Sequence, residues 1–225
     1  MNKQNIISFS GGKDSTAMLL MMLERNIKVD KIIMFDTGWE FPQMIEHVKQ
    51  VEKYIQRPIT ILQDKKGFDY WLGEHIKTRG KNKGQTGYGF PDFRNRWCTA
   101  LKRDNIKRYL KDIDYTDHQG IAFDELHRIT NNQKRDIIYP LIDWQITEKQ
   151  ALEYCYYKGF FWGGLYEKFV RVSCFCCPLQ RISELKVIYN EFPKLWQKMR
   201  EMDKKSYRTF RSDYTLEQLE IKFKS

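Results

Sequence analysis

The sequence contains no apolar run close to the roughly 20 residues that a helix needs to cross a bilayer. Its first ten residues, Met1–Ser10, carry a single lysine and an apolar stretch too short for a signal peptide. Internal repeats and low-complexity tracts are also missing from the chain. We therefore predict a soluble, cytoplasmic protein that does not associate with a membrane.

Cysteine is scarce and unevenly placed. There are five cysteines, an odd number, and three of them fall within four positions. A disulfide framework uses paired cysteines in an oxidising compartment, so this pattern argues against one. Crowded thiols in a reducing cytosol instead indicate metal binding or redox chemistry. The five residues are Cys98, Cys155, Cys174, Cys176 and Cys177.

Charge and composition describe a basic globular protein. The 225 residues are 41% hydrophobic and 15% aromatic, enough for one domain with a full core and a small appendage. Lysine and arginine number 39 against 29 acidic residues, a net charge of +10. Such an excess favours a polyanionic partner, a nucleotide or a nucleic acid, although a basic surface that merely keeps the protein in solution has the same charge.

Strand-like and helical patterns alternate in the first half of the chain. This alternation predicts an α/β fold, a mostly parallel sheet with helices on both faces. The two helical patterns cover residues 14–25 and 41–55. The strand-like runs are Asn5–Phe9, Lys31–Phe35, Ile59–Leu62 and His118–Phe123.

The chain after Pro140 has mainly helical patterns. We predict two parts, a nucleotide-binding α/β domain over residues 1–140 and a helical part over residues 141–225 that carries the cysteine cluster and packs on the same domain. The predicted helices of this part are Thr147–Lys158, Ile182–Tyr189, Pro193–Met202 and Leu216–Phe223.

One connection is unusually long. Residues Lys77–Arg96 are rich in glycine, lysine and arginine and have no helical or strand pattern. A connection of this length is either a functional lid or a solvated, disordered loop.

The first strand runs directly into the segment Ser-Gly-Gly-Lys-Asp-Ser, residues Ser10–Ser15. A strand, a tight glycine loop and a helix N-terminus form an anion site, because backbone N–H groups and the helix dipole both favour negative charge. Gly11 and Gly12 allow close approach of the backbone, and Lys13 adds a positive charge. The serine hydroxyls of Ser10 and Ser15 add donors.

Two common phosphate-binding loops do not fit this segment. A Walker A loop needs serine or threonine after its lysine, whereas Lys13 is followed by Asp14, and a G-x-G-x-x-G fingerprint is missing. Either Asp14 or Ser15 can cap the following helix. The segment resembles the pyrophosphate loop of the PP-loop ATP pyrophosphatases, which implies that it grips the pyrophosphate of ATP, bound with Mg²⁺.

Further segments resemble one branch of that superfamily, the phosphoadenosine-phosphosulfate (PAPS) reductase-like family. They follow the family's order over roughly residues 5–180, and they imply its adenine nucleotide α-hydrolase-like fold. The segments are Met34–Met44 with its D-T-G-x-x-F-P pattern, Arg96–Arg103, Gly120–Arg128, Tyr139–Gly159 and the cysteine segment Leu165–Gln180.

The resemblance implies a set of nucleotide-site residues. Asp36 would orient a magnesium-bound phosphate, or it caps the next turn, and Glu125 with Arg128 would face the nucleotide or form a plain salt bridge. Arg96 would contact phosphate, or it belongs to an ordinary basic face. The nucleotide-binding set is Ser8, Ser10, Gly11, Gly12, Lys13, Asp14, Ser15, Asp36, Thr37, Gly120, Glu125 and Arg128. The catalytic set is Lys13, Asp14, Asp36 and Arg96.

One departure from the family points to sulfur transfer. PAPS reductases carry a nucleophilic cysteine in a C-terminal tail, whereas no cysteine follows Cys177 here. The resemblance then favours the members that adenylate a substrate with ATP, release pyrophosphate and insert sulfur, into tRNA or DNA for example, with a donor such as a cysteine desulfurase. The alternatives are a PAPS or adenosine-phosphosulfate reductase that uses an external thiol, and a non-catalytic nucleotide-binding subunit.

The cysteines supply a candidate metal site. Cys174 and Cys177 have a C-x-x-C spacing, which places two thiolates on one metal, and Cys98 could supply another ligand. Four thiolates suit an iron–sulfur cluster of the 4Fe–4S type, which we favour, or a structural zinc ion. Cys176 is either the fourth ligand or a thiol that leaves one iron open. We expect Cys155 to be a buried structural thiol.

Overall fold

A computed structural model describes residues 3–129, 136–172 and 174–224. The chain forms two compact units, each assembled from separate segments. The domain boundary near residue 140 stays a prediction. The first unit comprises Met1–Asp36, Phe41–Leu62 and Ile106–Glu167, and the second comprises Thr37–Glu40, Gln63–Asn105 and Lys168–Ser225.

The first unit contains a five-stranded, fully parallel sheet, which confirms the predicted α/β fold. The central strand carries Ile6 and Ile7, both almost fully buried, as expected for a strand covered on both faces. The strand order is β3-β2-β1-β4-β5. The strands are β1 (Gln4–Ser8), β2 (Lys31–Phe35), β3 (Thr60–Leu62), β4 (Tyr115–Gln119) and β5 (Ile137–Ile138).

Helices connect the strands of the first unit and make up most of the C-terminal part. In chain order they are α1 (Lys13–Glu24), α2 (Pro42–Ile55), α3 (Phe68–Gly73), α4 (Trp97–Tyr109), α5 (Pro140–Asp143), α6 (Glu148–Tyr157), α7 (Leu165–Lys168), α8 (Ile182–Glu191), α9 (Pro193–Lys205) and α10 (Leu216–Lys224). The helices predicted from sequence are confirmed, with ends that differ by up to three residues. No helix in the described ranges is both long and apolar enough to cross a membrane.

The predicted fourth strand is misplaced. The sequence pattern puts it at His118–Phe123, but β4 ends at Gln119 and the chain turns into a 3-10 helix over Phe123–Arg128. Ile121 and Ala122 are buried within that turn, so their apolar character reflects burial and not strand structure.

Burial and a capping motif account for two helices of the first unit, α1 and α6. α1 is buried on most of its surface, and it packs against α5 and α6. α6 starts with a capping box in which the Thr147 hydroxyl accepts the Gln150 N–H and the Gln150 side chain accepts the Thr147 N–H. This cap fixes where α6 begins and therefore where Glu148, its first residue, lies.

The second unit is mainly helical. α8 packs against α9 and α10, and α3 packs against α9. Trp196 and Met199 of α9 are buried, and the Trp196 ring meets Phe223 of α10 at 5.8 Å between centroids. The helical C-terminal part expected from sequence is therefore confirmed.

The strand order reverses between β1 and β4. The chain continues from β1 to β2 on one side, whereas β4 lies on the other side of β1. In open parallel sheets, ligands bind outside the carboxyl ends of the strands at such a switch point. Two segments leave the sheet here, the loop after β1 that begins at Phe9 and the turn after β4 that begins at Gly120.

Gly120 brings these two segments into contact. A Cβ atom at this position would lie 2.7 Å from both the nitrogen and the Cα of Ser15, and 2.9 Å from the carbonyl carbon of Asp14. Backbone atoms cannot move aside as a flexible side chain does, so only glycine lets β4 end directly against the start of α1.

We predict that Gly120→Ala lowers the free energy of unfolding by about 2–4 kcal/mol, because the added methyl group overpacks a backbone contact. Gly159→Ala is the control. Gly159 has a φ of +86°, and a Cβ atom there would meet nothing within 4 Å, so its cost is only the backbone strain of about 1 kcal/mol. Urea denaturation measures both, and equal losses would contradict the steric account.

Candidate functional site

The glycine loop after β1 is held by packing and by one indole. Gly11 has a φ of +77°, and a Cβ atom there would lie 2.9 Å from the Met44 sulfur. The Trp162 indole N–H donates to the Gly11 carbonyl at 2.8 Å. Both Trp162 and Met44 are buried. The loop therefore has a fixed conformation in which neither the backbone angle nor the space admits a larger residue.

The two serines of the loop bond each other and the backbone. The hydroxyl oxygens of Ser10 and Ser15 are 3.0 Å apart, and the Ser10 N–H donates to Ser15 Oγ at 3.2 Å. Ser15 Oγ donates to the Gly12 carbonyl at 3.0 Å. The N-cap is Gly12, which has no side chain, so the expectation that Asp14 or Ser15 caps α1 is wrong. Ser15 lies inside the first turn and closes the loop instead.

Lys13, the first residue of α1, is almost completely buried, with 6% of its surface exposed. Its ammonium group lies 3.0 Å from the Asp14 carboxylate and also contacts the Glu148 carboxylate. Burial acts to lower the Lys13 pKa, but Asp14 and Glu148 outweigh it and raise the pKa above its usual value. Lys13 is therefore charged and joins the start of α1 to the start of α6.

Three carboxylates converge beside the loop. One oxygen from each of Asp14, Glu125 and Glu148 lies within 4.8 Å of the others. Asp14 Oδ1 is buried and has no hydrogen-bond partner among the described residues. Burial raises the pKa of Asp14 to about 6, against the opposing effect of Lys13. Glu125 is buried and pairs with Arg128, so the salt-bridge interpretation of that pair is observed.

The N-terminus of α1 already has one partner. The Lys13 N–H donates to the Tyr166 hydroxyl at 2.8 Å, and burial raises the pKa of that phenol. The Cys155 thiol, fully buried, lies 3.5 Å from the Lys13 carbonyl, and burial raises its pKa as well. Cys155 is therefore a buried thiol, as expected, packed beneath the first turn of α1.

Two other residues of the predicted nucleotide set, Ser8 and Asp36, lie at the carboxyl ends of strands β1 and β2. Ser8, the last residue of β1, donates from its hydroxyl to Asp117 at 2.6 Å. Asp36 directly follows β2, and its N–H donates to the Leu62 carbonyl at 2.9 Å. Thr37 belongs to the second unit.

Sequence reasoning missed Glu148 and Tyr166. The capping box at Thr147 marks the start of a helix, but it carries no information about which charge the next residue will meet. Both residues lie in segments that resemble the family, Tyr139–Gly159 and Leu165–Gln180, but no pattern in those segments points to a contact with Lys13. In the chain, 135 positions separate Glu148 from Lys13.

The second unit contains a separate group of polar side chains around Cys174. The Thr37 hydroxyl donates to Glu40 at 3.0 Å and accepts the Trp39 N–H at 3.0 Å. Cys174 Sγ lies 3.8 Å from the Glu40 carboxylate. The Lys102 ammonium lies 3.5 Å from that carboxylate. Lys102 is thus the cation of this group.

Two cysteines, Cys174 and Cys98, contribute to the pKa of Lys102. Burial acts to lower its pKa, but Cys174, Glu40 and Cys98 outweigh it and raise the pKa, so Lys102 is charged. Burial is the main cause that raises the pKa of Cys174, followed by Glu40, while Lys102 opposes both. The contacts of Cys174 and Lys102 both lead to the Glu40 carboxylate.

Cys176 and Cys177 come shortly after Cys174 in the chain. The Cys177 N–H donates to the Cys174 carbonyl at 3.1 Å, so these two residues lie in one tight turn. Cys176 between them is 1% exposed, and burial raises the pKa of its thiol. All four candidate metal ligands therefore belong to the second unit.

Arg96 lies in the second unit as well. Its guanidinium is 5.9 Å from the Phe93 ring centre. Its carbonyl accepts the N–H groups of Thr99 and Ala100 at the start of α4.

A parallel α/β sheet whose first strand ends in a Ser-Gly-Gly-Lys-Asp-Ser loop at the switch point defines a protein of the PP-loop class. Residues 4–180 match the family described as the phosphoadenosine phosphosulfate reductase domain, and the chain belongs to that family.

Two curated relatives come from Methanocaldococcus jannaschii. The chain is 30% identical to the uncharacterized protein MJ0066 over 88% of its own length and 41% of the relative. It is 29% identical to the uncharacterized protein MJ0973 over 85% of its length and 45% of that protein. The chain thus spans less than half the length of these two relatives.

A solved structure with the same fold is the U34-tRNA thiolase NcsA from Methanococcus maripaludis, determined with its 4Fe–4S cluster. The superposition has a TM-score of 0.50 and 15% sequence identity, and it covers 90% of this chain and 72% of the thiolase. At this identity the likeness establishes the fold.

We predict that the stability of Asp14→Asn relative to wild type increases as the pH rises. The folded-state pKa of about 6 exceeds the ordinary value of 3.8, so the protonated form stabilises the folded state below about pH 4, and this stabilisation is lost as the pH rises through 6. Asparagine does not ionise, so the variant does not lose this stabilisation as the pH rises.

The unfolding free energy of Asp14→Asn minus that of wild type should therefore rise by about 2 kcal/mol between pH 4 and pH 7. Urea denaturation across this range measures it. His47, whose pKa burial lowers to about 3, is present in both proteins and cancels. A difference that stays constant with pH would contradict the buried-carboxylate account.

Proposed function

We propose that this protein is an ATP-dependent PP-loop enzyme that transfers AMP to a substrate oxygen, releases pyrophosphate and supports transfer of sulfur to the activated substrate. The observation that carries the proposal is the Ser10–Ser15 loop, fixed at the β1/β4 switch point against the N-terminus of a buried helix.

The loop suits a phosphate ligand. The first N–H groups of a helix lack partners within the helix and point outward, and the helix dipole favours an anion there. Gly11 and Gly12 leave room for the ligand to approach the backbone. The Lys13 N–H now donates to Tyr166, so a phosphate oxygen that accepts this N–H takes the place of the phenol oxygen.

The charges around the loop call for a divalent cation. Three carboxylates, Asp14, Glu125 and Glu148, outnumber the two cations Lys13 and Arg128, so a triphosphate alone would be repelled. Asp14 Oδ1 has no hydrogen-bond partner among the described residues, and one Asp14 oxygen lies within 4.8 Å of oxygens of Glu125 and Glu148. Mg²⁺ prefers such hard oxygen ligands. These three residues therefore fit the Mg²⁺ that accompanies ATP, and the bound ion would neutralise phosphate charge.

The residues of the chain then have simple tasks in adenylation. A substrate oxygen attacks the α-phosphorus of ATP, the bond to the bridging oxygen breaks, and pyrophosphate leaves with the bonding electrons. The loop N–H groups and the charged Lys13 stabilise the negative charge that accumulates on the leaving group. A sulfur nucleophile afterwards displaces AMP from the substrate.

The cysteines of the second unit support an iron–sulfur cluster more than zinc. Zinc–sulfur bonds of about 2.3 Å in a tetrahedron place thiolates about 3.8 Å apart. Within the described residues, the thiols do not form a group of three with all sulfurs inside 4.8 Å. A 4Fe–4S cluster binds each thiolate to a different iron, which spreads the sulfurs further. Cys98, Cys174, Cys177 and the buried Cys176 would hold it.

The thiolase that shares the fold holds such a cluster and acts on tRNA, which supports the sulfur-transfer part of the proposal. The acceptor would be tRNA or DNA, and the sulfur would come from a donor such as a cysteine desulfurase. The family name favours a second candidate, reduction of PAPS by an external thiol. A non-catalytic nucleotide-binding subunit is the third.

We predict that the protein with ATP, Mg²⁺ and unmodified tRNA or DNA releases pyrophosphate, and that Lys13→Met slows this release about 100-fold, because the positive charge that faces the leaving group is lost. An enzyme-coupled pyrophosphate assay measures the rate. Lys149→Met, the same chemical change at an 85% exposed lysine, is the matched control and should keep the rate.

Removal of Lys13 leaves Asp14 and Glu148 facing each other, so folding must be checked in parallel. Thermal unfolding of Lys13→Met and of Lys13→Met/Asp14→Asn separates lost stability from lost chemistry. Sulfite release from PAPS without pyrophosphate from ATP would replace the proposal by the reductase. ATP binding without either product would indicate the non-catalytic subunit.

For the metal, we predict that anaerobically purified protein contains iron and acid-labile sulfide. Cys98→Ser, Cys174→Ser and Cys177→Ser should each lose most of the iron, because each removes one thiolate ligand. Cys155→Ser, a change at the buried thiol of the first unit, should retain it. Metal analysis and the visible absorption spectrum measure the outcome. A colourless protein with one zinc ion would overturn the cluster assignment.

A further inference from the structure

The second unit contains a cleft that the proposed chemistry does not use. The cleft has a volume of about 880 Å³, and segments near Lys77–Asn95 and Tyr207–Ser212 line it. This volume lies within the range of about 300–1,000 Å³ that is typical of ligand clefts. Half of the residues of the long glycine- and lysine-rich connection, Lys77–Arg96, line it.

The lining is strongly cationic. Asp92 is the one carboxylate among the described lining residues, and it pairs with Arg208. The other cations have no carboxylate within 4.0 Å in the described part of the chain, so four positive charges face the cleft without neutralisation. The five lining cations are Lys77, Arg79, Lys81, Arg94 and Arg208.

Aromatic rings stand among these charges. Phe93 is 76% exposed and Tyr207 is 43% exposed, so both rings are accessible to a ligand. The Lys77 ammonium lies 4.4 Å from the Tyr207 ring centre and 5.8 Å from that of Tyr88. Cations interleaved with exposed ring faces form the surface on which unpaired bases stack while their phosphates are neutralised.

The backbone of this connection is fixed. The Gly87 N–H donates to the His75 carbonyl at 2.6 Å, and a Cβ atom on Gly87 would lie 2.1 Å from the Leu72 carbonyl oxygen. The buried Trp97 indole donates to the Gly89 carbonyl at 2.9 Å. The rings and charges are therefore presented on an ordered surface, and a ligand need not order the segment when it binds.

We propose that this cleft binds a single strand of nucleic acid, with bases stacked on Phe93 and Tyr207 and phosphates paired with Arg79, Lys81 and Arg94. This inference deepens the proposed function, because it identifies the acceptor as an unpaired segment of RNA or DNA. Duplex bases are already stacked on each other, and an acidic peptide would leave the exposed rings without a partner.

The first test measures stacking. Fluorescence anisotropy with labelled oligo(U) and oligo(dT) of about 16 nucleotides, and with a duplex of equal length, gives the affinities. Phe93→Ala should weaken single-strand binding at least about fivefold and leave duplex binding unchanged, whereas Phe93→Tyr should retain it. Comparison of the two strands shows whether the sugar is discriminated. Because Phe93 is largely exposed, its truncation does not threaten the fold.

The second test measures phosphate contacts. The slope of log affinity against log salt should become shallower by about 1.4 in Arg79→Ala/Lys81→Ala, because each single-strand contact contributes about 0.7. Lys53→Ala/Lys149→Ala removes the same charge from exposed positions of the first unit and should leave slope and affinity unchanged.

Several results would overturn the proposal. Single-strand affinity in the cleft variants could equal that of wild type, or both double variants could lose the same affinity. The duplex could bind as tightly as the single strand. Polyglutamate could compete for the cleft as well as oligo(U) does at equal charge. These assays contain no ATP. If the protein binds the single strand but releases no pyrophosphate, the cleft proposal stands and the adenylation chemistry is rejected. If it releases pyrophosphate but does not bind the single strand, only the cleft proposal is rejected.

Discussion

The buried ammonium group of Lys13 is the interaction on which the first unit depends. A charge removed from water costs several kcal/mol unless opposite charges surround it, and here Asp14 and Glu148 do so. This requirement brings the N-terminus of α6 to that of α1. Glu148 is held in turn by its own N–H, which donates to the Asp124 carboxylate at 2.9 Å, close to the buried Glu125. The Ser10–Ser15 loop, the 3-10 helix Phe123–Arg128 and the start of α6 are thereby linked through Lys13 and Glu148.

That arrangement leaves a local excess of negative charge next to a loop shaped for phosphate. Asp14 illustrates the conflict, since burial raises its pKa and one oxygen has no partner among the described residues. Such an arrangement is unfavourable for the isolated fold but useful for a site that takes a polyanion together with a divalent cation. The second unit contains a comparable group, because Lys102 stays charged beside Glu40, which also contacts Cys174.

Much of the fold could be predicted from local pattern. The strands at Asn5–Phe9 and Lys31–Phe35 and the later helices follow from apolar runs, capping residues and prolines. The prediction was wrong after β4. Ile121 and Ala122 are buried in a turn, and a short apolar run there has the same sequence pattern as a buried strand. β5 has only two residues, too few for any periodic signal. The loop at Ser10–Ser15 could be located from the sequence because the positive φ of Gly11 favours glycine.

The sequence by itself determined the parallel α/β fold, the anion loop and the crowding of three thiols, since each depends on residues close together in the chain. Only the tertiary structure decided the partners of Lys13, the close approach that requires Gly120, the contacts of Glu40 with Lys102 and Cys174, and the cleft around Phe93. These depend on which distant segments meet. Charge pairing and close packing act through space and leave no periodic trace in the sequence.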